Sequence, residues 1–297
     1  MNVARRAWER VPDGLRRTVG LRAVRRSIST SRYIAEHNRR LPATAPMLTF
    51  YPMRPQPRAQ VVTMLALIGV RIGVDIRRSG PAIAWHSGTL LPAADAAALP
   101  AWAINRGCTD ISKSRVDELW GRLAGYSISV DPLRTAGPIV VKSEANGRHD
   151  GRVVHGPLRQ RRAGVVYQRF IDATVGDAFM EARPVIIGGR MPLALESRRP
   201  RPHWATDALA TLPRQPGELY SADEIETMLR FASAIGLDYG ELDAVRETSS
   251  GNLYVLDANR TPTRPHFIPR DAEAEAMALM AATFANAFAD VLAMTPE

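Results

Sequence analysis

The chain of 297 residues contains a single cysteine, Cys108, which excludes an internal disulfide and any zinc site built from several cysteines. As a nucleophile this thiol would need a neighbouring base and an electropositive pocket. We interpret it as a small buried side chain. Because nothing in the chain calls for an oxidising compartment, the sequence predicts a cytoplasmic protein.

Long hydrophobic runs are also missing. Uninterrupted apolar stretches such as residues 64–70 and 96–104 are far shorter than the roughly 20 residues that a membrane-spanning helix requires. Aromatic residues make up only 6% of the chain, but hydrophobic residues reach 45%, which is enough for a sizeable core. The composition therefore predicts a globular protein with no transmembrane segment.

The positive charge is concentrated at the amino terminus. Residues 1–40 hold 11 arginines and three acidic residues, whereas the remaining chain is nearly neutral, with 28 basic and 27 acidic side chains. This basic arm, which we extend to residue 44, could bind an acidic surface or another polyanion, and it also resembles a transit peptide. The simpler interpretation is a solvated helix that packs on the domain.

Lysine is also scarce, since 37 of the 39 basic residues are arginine. The two exceptions are Lys113 and Lys142. A compact ammonium differs from a planar guanidinium in hydration and geometry. Retention of lysine at two positions therefore suggests that an ammonium group is needed there.

The pattern of hydrophobic residues predicts a mixed α/β and α+β architecture. A strand over 47–52, a helix after Pro57 and two short strands near 71–76 and 82–87 form a small α/β domain at 45–108. The rest of the chain alternates strands and helices in the same way. Its predicted elements are a helix at 110–123, strands at 137–143 and 164–172, a strand pair joined by Gly188-Gly189, a helix at 221–236 and an Ala-rich carboxyl-terminal helix.

The most informative segment is a predicted hairpin at 237–265. Ser249, Ser250 and Gly251 form a loop with glycine where a left-handed conformation is needed. Closing the hairpin at this loop pairs residues whose numbers sum to 500. Asp243 then faces Asp257, and Glu241 faces Asn259.

These four side chains share one face of the hairpin, because residues two apart on a strand point to the same side. Three carboxylates and an amide oxygen are hard oxygen ligands, which suit Mg²⁺ together with phosphate oxygens and water. Leu253 and Val255 are expected on the same face, which would then be partly buried. The hairpin therefore predicts a magnesium site.

The ordered set of a lysine at a helix start, a lysine on a strand, a strand with Tyr-Gln and a D…D-x-N hairpin resembles the ATP-grasp superfamily. The resemblance covers about residues 105–265. It implies an ATP-grasp-like domain at 109–297, in which a small lobe (about 137–170) and a large lobe (about 171–297) grip MgATP. The preceding domain at 45–108 would bind the second substrate.

The resemblance also implies roles for individual residues. Lys113 and Lys142 match the lysines that contact ATP phosphates, and Asp243, Asp257 and Asn259 match the magnesium ligands, with Asp257 where the family usually has Glu. The resemblance also implies nucleotide-binding residues on the strand that links the two lobes, and arginines that act in catalysis. They are Gln168, Arg169, Phe170 and Asp172 for nucleotide binding and Arg183, Arg198 and Arg260 for catalysis.

The implied activity is ATP-dependent ligation, in which a small-molecule or peptide carboxylate becomes an acyl phosphate and is captured by an amine. ADP and phosphate are released. Two alternatives remain open, namely a small-molecule kinase on the same scaffold and a non-catalytic nucleotide-binding module recruited by its basic arm. Nucleic-acid binding has only the basic arm in its favour. The resemblance also makes a homodimer an expectation.

Overall fold

The computed structural model of the protein describes residues 21–76, 80–148, 150–200 and 210–294. Residues 1–20, half of the predicted basic arm, lie outside the described residues. The helices are α1 (Leu21–Arg39), α2 (Gln60–Leu67), α3 (Ala93–Ala98), α4 (Lys113–Ala124), α5 (Pro216–Leu219), α6 (Ala222–Ile235), α7 (Arg270–Ala287) and α8 (Ala289–Leu292).

The described strands form three sheets. The first consists of β1 (Met47–Pro52), β2 (Arg71–Gly73) and β3 (Ala82–Trp85), all parallel, in the order β2-β1-β3. The second is antiparallel, in the order β5-β4-β6, and consists of β4 (Gly137–Ser143), β5 (Arg152–Gly156) and β6 (Val165–Arg169).

The third sheet is the largest and has the order β10-β9-β8-β11-β12, with the short β7 paired to β8. Its strands are β7 (Thr174–Val175), β8 (Ala178–Ile187), β9 (Ala194–Pro200), β10 (Ala210–Arg214), β11 (Tyr239–Arg246) and β12 (Leu253–Asn259). This mixture of one parallel and two antiparallel sheets with helices confirms the predicted fold class.

The local sequence explains where α6 begins and ends and where α4 begins. In α6 the Ser221 hydroxyl accepts a hydrogen bond from the Glu224 backbone N–H, and the Glu224 carboxylate accepts one from the Ser221 backbone N–H. Gly236 ends the helix in the left-handed conformation. The predicted helix at 110–123 begins at Lys113, because the Ser112 side chain caps it.

Helices α4 and α6 cover one face of the large sheet. Trp120 packs edge-on against Phe231 at 6.0 Å between ring centroids, and both belong to a core that includes Leu242, Leu253 and Val255 of the hairpin. Burial of this apolar face leaves the opposite face of β8, β11 and β12 to form the site.

One end of that opposite face is covered by the parallel sheet and α7. Phe50 and Trp85 of the parallel sheet share a core with Tyr239 of β11 and Phe284 of α7. The end of α1 also packs there, since the buried His37 ring lies 2.9 Å from the Val70 carbonyl oxygen.

One buried polar residue, Asn105, connects the segment after the parallel sheet to the large sheet. Asn105 is fully buried, and its amide donates to the Tyr239 carbonyl at 2.7 Å and accepts from the backbone N–H groups of Asp238 and Tyr239 at 2.8 and 2.9 Å. It adopts a left-handed φ of 62°, which asparagine tolerates better than most residues.

No helix within the described residues combines the length and apolar character needed to span a bilayer.

Replacing Asn105 with alanine removes three side-chain hydrogen bonds and leaves the buried N–H and carbonyl of Tyr239 and the part-buried N–H of Asp238 without these partners. We expect Asn105→Ala to lower the free energy of unfolding by about 3 kcal/mol, measured by urea denaturation. Asn252→Ala, in the exposed hairpin loop, is the control and should change it by less than about 0.5 kcal/mol. Equal effects of the two substitutions would contradict this role for Asn105.

Candidate functional site

A cavity of about 450 Å³ lies between the β4–β6 sheet and the uncovered face of the large sheet. It is rich in charged groups of both signs, and its walls come from β4, β6, β8, β11, β12 and the start of α4. The charged side chains that line it are Lys113, Lys142, Arg148, Asp150, Arg169, Glu181, Arg199, Asp243 and Asp257.

Both lysines of the chain line this cavity. Lys113 is the first residue of α4, is buried, and donates from its Nζ to the Ala145 carbonyl at 3.3 Å and the Asn146 side-chain oxygen at 3.2 Å. Lys142 projects from β4. Two positions far apart in sequence thus place their ammonium groups in one cavity.

The carboxylates on the hairpin lie on the opposite wall. The predicted register is confirmed, because Asp243 pairs with Asp257 and Glu241 pairs with Asn259. The prediction fails closer to the turn, where a β-bulge after Asp243 pairs Ala244 with Val255.

The bulge corrects our expectation about the hydrophobic neighbours of the carboxylates. An extra residue in one strand switches the side of every residue beyond it. Leu253 and Val255 therefore pack on the α4–α6 face, and Val245 and Leu256 line the cavity beside Asp243 and Asp257.

The electrostatic environment of the hairpin carboxylates favours a cation. Burial, together with the neighbouring charges of Glu181 and Asp257, raises the pKa of Asp243 to about 8. Burial also lowers the pKa of the Lys142 ammonium, Lys113 adds to that lowering, and Asp257 and Asp243 oppose it. Lys142 and the hairpin carboxylates thus interact electrostatically in a partly desolvated space.

Among the described side chains, no group of three His, Cys, Asp or Glu residues is arranged to enclose a metal ion on its own. Asp243 and Asp257 face each other, however, and their mutual repulsion is what a divalent cation would relieve. Mg²⁺ often takes one or two carboxylates and completes its shell with phosphate oxygens and water. The donor set therefore fits a magnesium ion brought in with a phosphate ligand.

Asn259, the third predicted ligand, is engaged within its own loop. Its side-chain oxygen accepts a hydrogen bond from the Thr261 amide at 2.9 Å. A carbonyl oxygen has a second lone pair, so this bond orients Asn259 without removing it from the predicted set.

Of the four residues predicted to bind nucleotide from the strand that links the lobes, three line the cavity and one does not. Gln168, Arg169 and Phe170 line the cavity. The Arg169 side chain also turns to the hairpin, where it donates to Glu247 at 2.9 Å and lies over the Tyr254 ring. Asp172 is exposed, does not line the cavity, and accepts a hydrogen bond from the Thr174 amide at 3.0 Å.

The three predicted catalytic arginines have three different surroundings. Arg183 on β8 lies 3.6 Å from the Glu241 carboxylate and acts electrostatically on Asp243 and Glu181, but it is not among the residues that line the cavity. Arg198 is exposed and forms an ion pair with Asp177 at 3.1 Å. Its neighbour Arg199 lines the cavity instead, because successive side chains on β9 point to opposite faces.

Arg260 is fully buried and acts as a tie between elements. Its guanidinium donates to the backbone carbonyls of His86 at 2.8 Å and Gly88 at 2.7 Å, and to that of Cys108. Since these bonds occupy most of its donors, the structure corrects our catalytic assignment and gives Arg260 a role in joining the end of β12 to the preceding segments.

Four charged residues that line the cavity were not predicted from the sequence, namely Arg148, Asp150, Glu181 and Arg199. Glu181 and Arg199 form an ion pair at 3.3 Å. Alternation along β8 would have placed Glu181 on the same face as Arg183. For Arg199 the sequence holds the adjacent pair Arg198-Arg199, and only the register of β9 decides between them.

Comparison with known proteins gives structural matches alone. No family model and no curated protein sequence matches the chain. The chain is similar to the solved structure of the ATP-grasp ligase PsnB complexed with a minimal precursor, with a TM-score of 0.54, 16% identity, and coverage of 82% of this chain and 99% of that one.

Two further complexes of PsnB match in the same way. The complex with a phosphomimetic variant of the minimal precursor, Mg and ADP has a TM-score of 0.54 at 16% identity, covering 83% of this chain and 98% of that one. The complex with precursor peptide PsnA2 and AMPPNP has a TM-score of 0.52 at 17% identity, covering 81% and 97%. Together with the architecture described above, these matches identify the fold, and the chain has the ATP-grasp fold.

Proposed function

We propose that the protein is an ATP-dependent carboxylate–amine ligase that forms ADP and phosphate. The observation that carries this proposal is the cavity in which Lys113 and Lys142 face Asp243 and Asp257. Two ammonium groups suit the negative charge of a triphosphate, and two facing carboxylates suit the magnesium ion that accompanies it. The fold shared with an ATP-grasp ligase supports the same activity.

The residues of the chain would divide the work by position. Gln168 and Phe170 on the strand linking the lobes would contact the base, and the lysines would hold the phosphates. Asp243, Asp257 and Asn259 would hold Mg²⁺, which supplies charge neutralisation to the phosphates when bound. Arg183 and Arg199, at the far side of the carboxylates, would stabilise charge on the transferring phosphate.

In the proposed reaction, an oxygen of the substrate carboxylate attacks the γ-phosphorus and the bond to the β-phosphate oxygen breaks, releasing ADP. The amine then attacks the acyl carbon and expels orthophosphate. Catalysis of the first step consists chiefly of positioning and charge stabilisation, which fixed cationic side chains provide. PsnB is complexed with a precursor peptide, so we include peptides with small molecules as candidate substrates.

The lysine–aspartate arrangement predicts how nucleotide binding responds to substitution. We expect Lys142→Met and Asp257→Asn each to weaken MgATP binding at least tenfold, about 1.4 kcal/mol, in isothermal titration calorimetry. Without Mg²⁺, Asp257→Asn should bind ATP as the native chain does, because its role is to hold the ion. Arg122→Met, on the exposed side of α4, is the control for Lys142→Met, because it also removes one positive charge. Magnesium-independent effects of Asp257→Asn would contradict the assignment.

The two adjacent arginines on β9 form a matched pair. Arg199→Leu should reduce the rate of ADP release at least tenfold, because its guanidinium lines the cavity, whereas Arg198→Leu should change the rate less than twofold. Coupled-enzyme detection of ADP measures both. A larger loss in Arg198→Leu would mean that β9 adopts the other register in solution.

The chemical fate of the γ-phosphate separates ligation from phosphorylation of a hydroxyl. With a carboxylate and an amine both present, we expect ³¹P NMR to show orthophosphate and ADP in equal amounts. Omitting the amine should suppress turnover. A phosphate ester that accumulates in place of orthophosphate would assign the protein as a kinase and overturn the ligase proposal.

A further inference from the structure

A buried polar cluster lies beside the proposed site, and the proposed reaction does not use all of it. It consists of Gln60, Glu241 and Arg183. Gln60 at the start of α2 and Glu241 in the middle of β11 are both completely inaccessible to solvent. The Gln60 amide donates to one oxygen of the Glu241 carboxylate, and the other oxygen lies 3.6 Å from Arg183 Nη1.

The cluster joins two sheets through side chains. Gln60 belongs to the helix that packs on the parallel sheet, and its backbone N–H donates to the Pro262 carbonyl at 3.1 Å, just after the end of β12. Glu241 and Arg183 lie on neighbouring strands of the large sheet, since Glu241 pairs with Val185. The position of Arg183 is therefore linked, through Glu241, to the domain that precedes the site.

Arg183 has other acidic neighbours besides Glu241. Asp243, two residues along β11, and Glu181, two residues back along β8, both act electrostatically on its guanidinium. These are the carboxylates that line the cavity where we place the magnesium ion. A guanidinium released from Glu241 would have two alternative partners, and pairing with Asp243 would remove a metal ligand.

Stability alone does not account for Glu241. Burying a carboxylate costs several kcal/mol, and a buried ion pair commonly gives no net stabilisation over an apolar substitute of similar size. The 3.6 Å contact between Arg183 Nη1 and Glu241 Oε2 is too long for a hydrogen bond, and neither Glu241 Oε2 nor Arg183 Nε has a hydrogen-bond partner. A pair with this imperfect geometry gains its value from fixing where the guanidinium sits.

We propose that Glu241 is a positioning residue that holds Arg183 toward the γ-phosphate of ATP and away from Asp243 and Glu181, and that Gln60 fixes Glu241 in turn. This inference rests on the proposed function, because it requires a nucleotide in the cavity. Glu241 touches neither nucleotide nor ion and acts only through Arg183.

The inference predicts a selective loss of contact with the γ-phosphate. ATP and ADP share every contact except those to that phosphate, so the ratio of their dissociation constants reports on Arg183. Using calorimetry with MgATP and MgADP on the full chain, we expect Glu241→Gln to reduce the preference for ATP at least fivefold and to change the MgADP dissociation constant less than twofold. Arg183→Lys should have the same effect.

Combining the two substitutions tests whether Glu241 acts through Arg183. In the Arg183→Lys background, Glu241→Gln should reduce the ATP preference no further. Glu196→Gln is the matched control, because Glu196 also pairs with an arginine on the large sheet, 2.9 Å from Arg214, although it is only partly buried and does not line the cavity. It should leave both dissociation constants unchanged.

Gln60→Met provides a second approach from the other end of the cluster and keeps the test decisive if Glu241→Gln does not fold. It should lower the ATP preference about two- to threefold, again with unchanged MgADP binding. Equal weakening of MgATP and MgADP by these substitutions would show a merely structural role, and no change in either would also overturn the inference. A native chain that binds neither nucleotide would instead refute the proposed function itself.

Discussion

The structure of the site depends on one electrostatic constraint, namely that Asp243 and Asp257 face each other in a partly buried register. Two carboxylates at such a separation repel, and desolvation makes the repulsion stronger. Burial, with the neighbouring charges of Glu181 and Asp257, raises the pKa of Asp243 to about 8. Burial has the opposite effect on Lys142, because loss of hydration lowers the pKa of its ammonium group. Lys142 and the two aspartates already act on each other electrostatically. We propose that a magnesium-bound triphosphate adds counter-charges to both the carboxylates and the ammonium.

The rest of the fold serves to keep these groups in place. Helices α4 and α6 bury the back of the hairpin, which fixes the face on which the carboxylates lie. Asn105 and Arg260 are fully buried and bind backbone groups across elements, so the parallel sheet and the large sheet are joined by hydrogen bonds as well as by apolar contacts. Lys113, Lys142, Asp243 and Asp257 all lie on helices or strands, which hold side chains more precisely than loops do.

Much of this arrangement could be predicted from local patterns, because those patterns have short-range physical causes. Ser221, Glu224 and Gly236 fixed the ends of α6, and the Ser-Ser-Gly sequence located the hairpin turn. The pairing of Asp243 with Asp257 was predicted correctly only because a bulge offsets the register next to the turn, where Arg246 pairs with Leu253. The bulge beyond Asp243 could not be predicted, since it depends on how the hairpin fits the α4–α6 core. The choice between Arg198 and Arg199, and the capture of Arg260 by distant carbonyls, likewise depend on strand register and tertiary contacts.

The central claim is that the cavity holds a divalent ion between the hairpin carboxylates and a triphosphate beside the two lysines. A crystal structure of the full chain with AMPPNP and Mn²⁺, with the metal located by anomalous scattering, tests it most directly. We expect an anomalous peak bridged by Asp243 and Asp257, with the β- and γ-phosphates next to Lys113 and Lys142. Nucleotide bound elsewhere, or a metal peak away from this pair, would contradict the account.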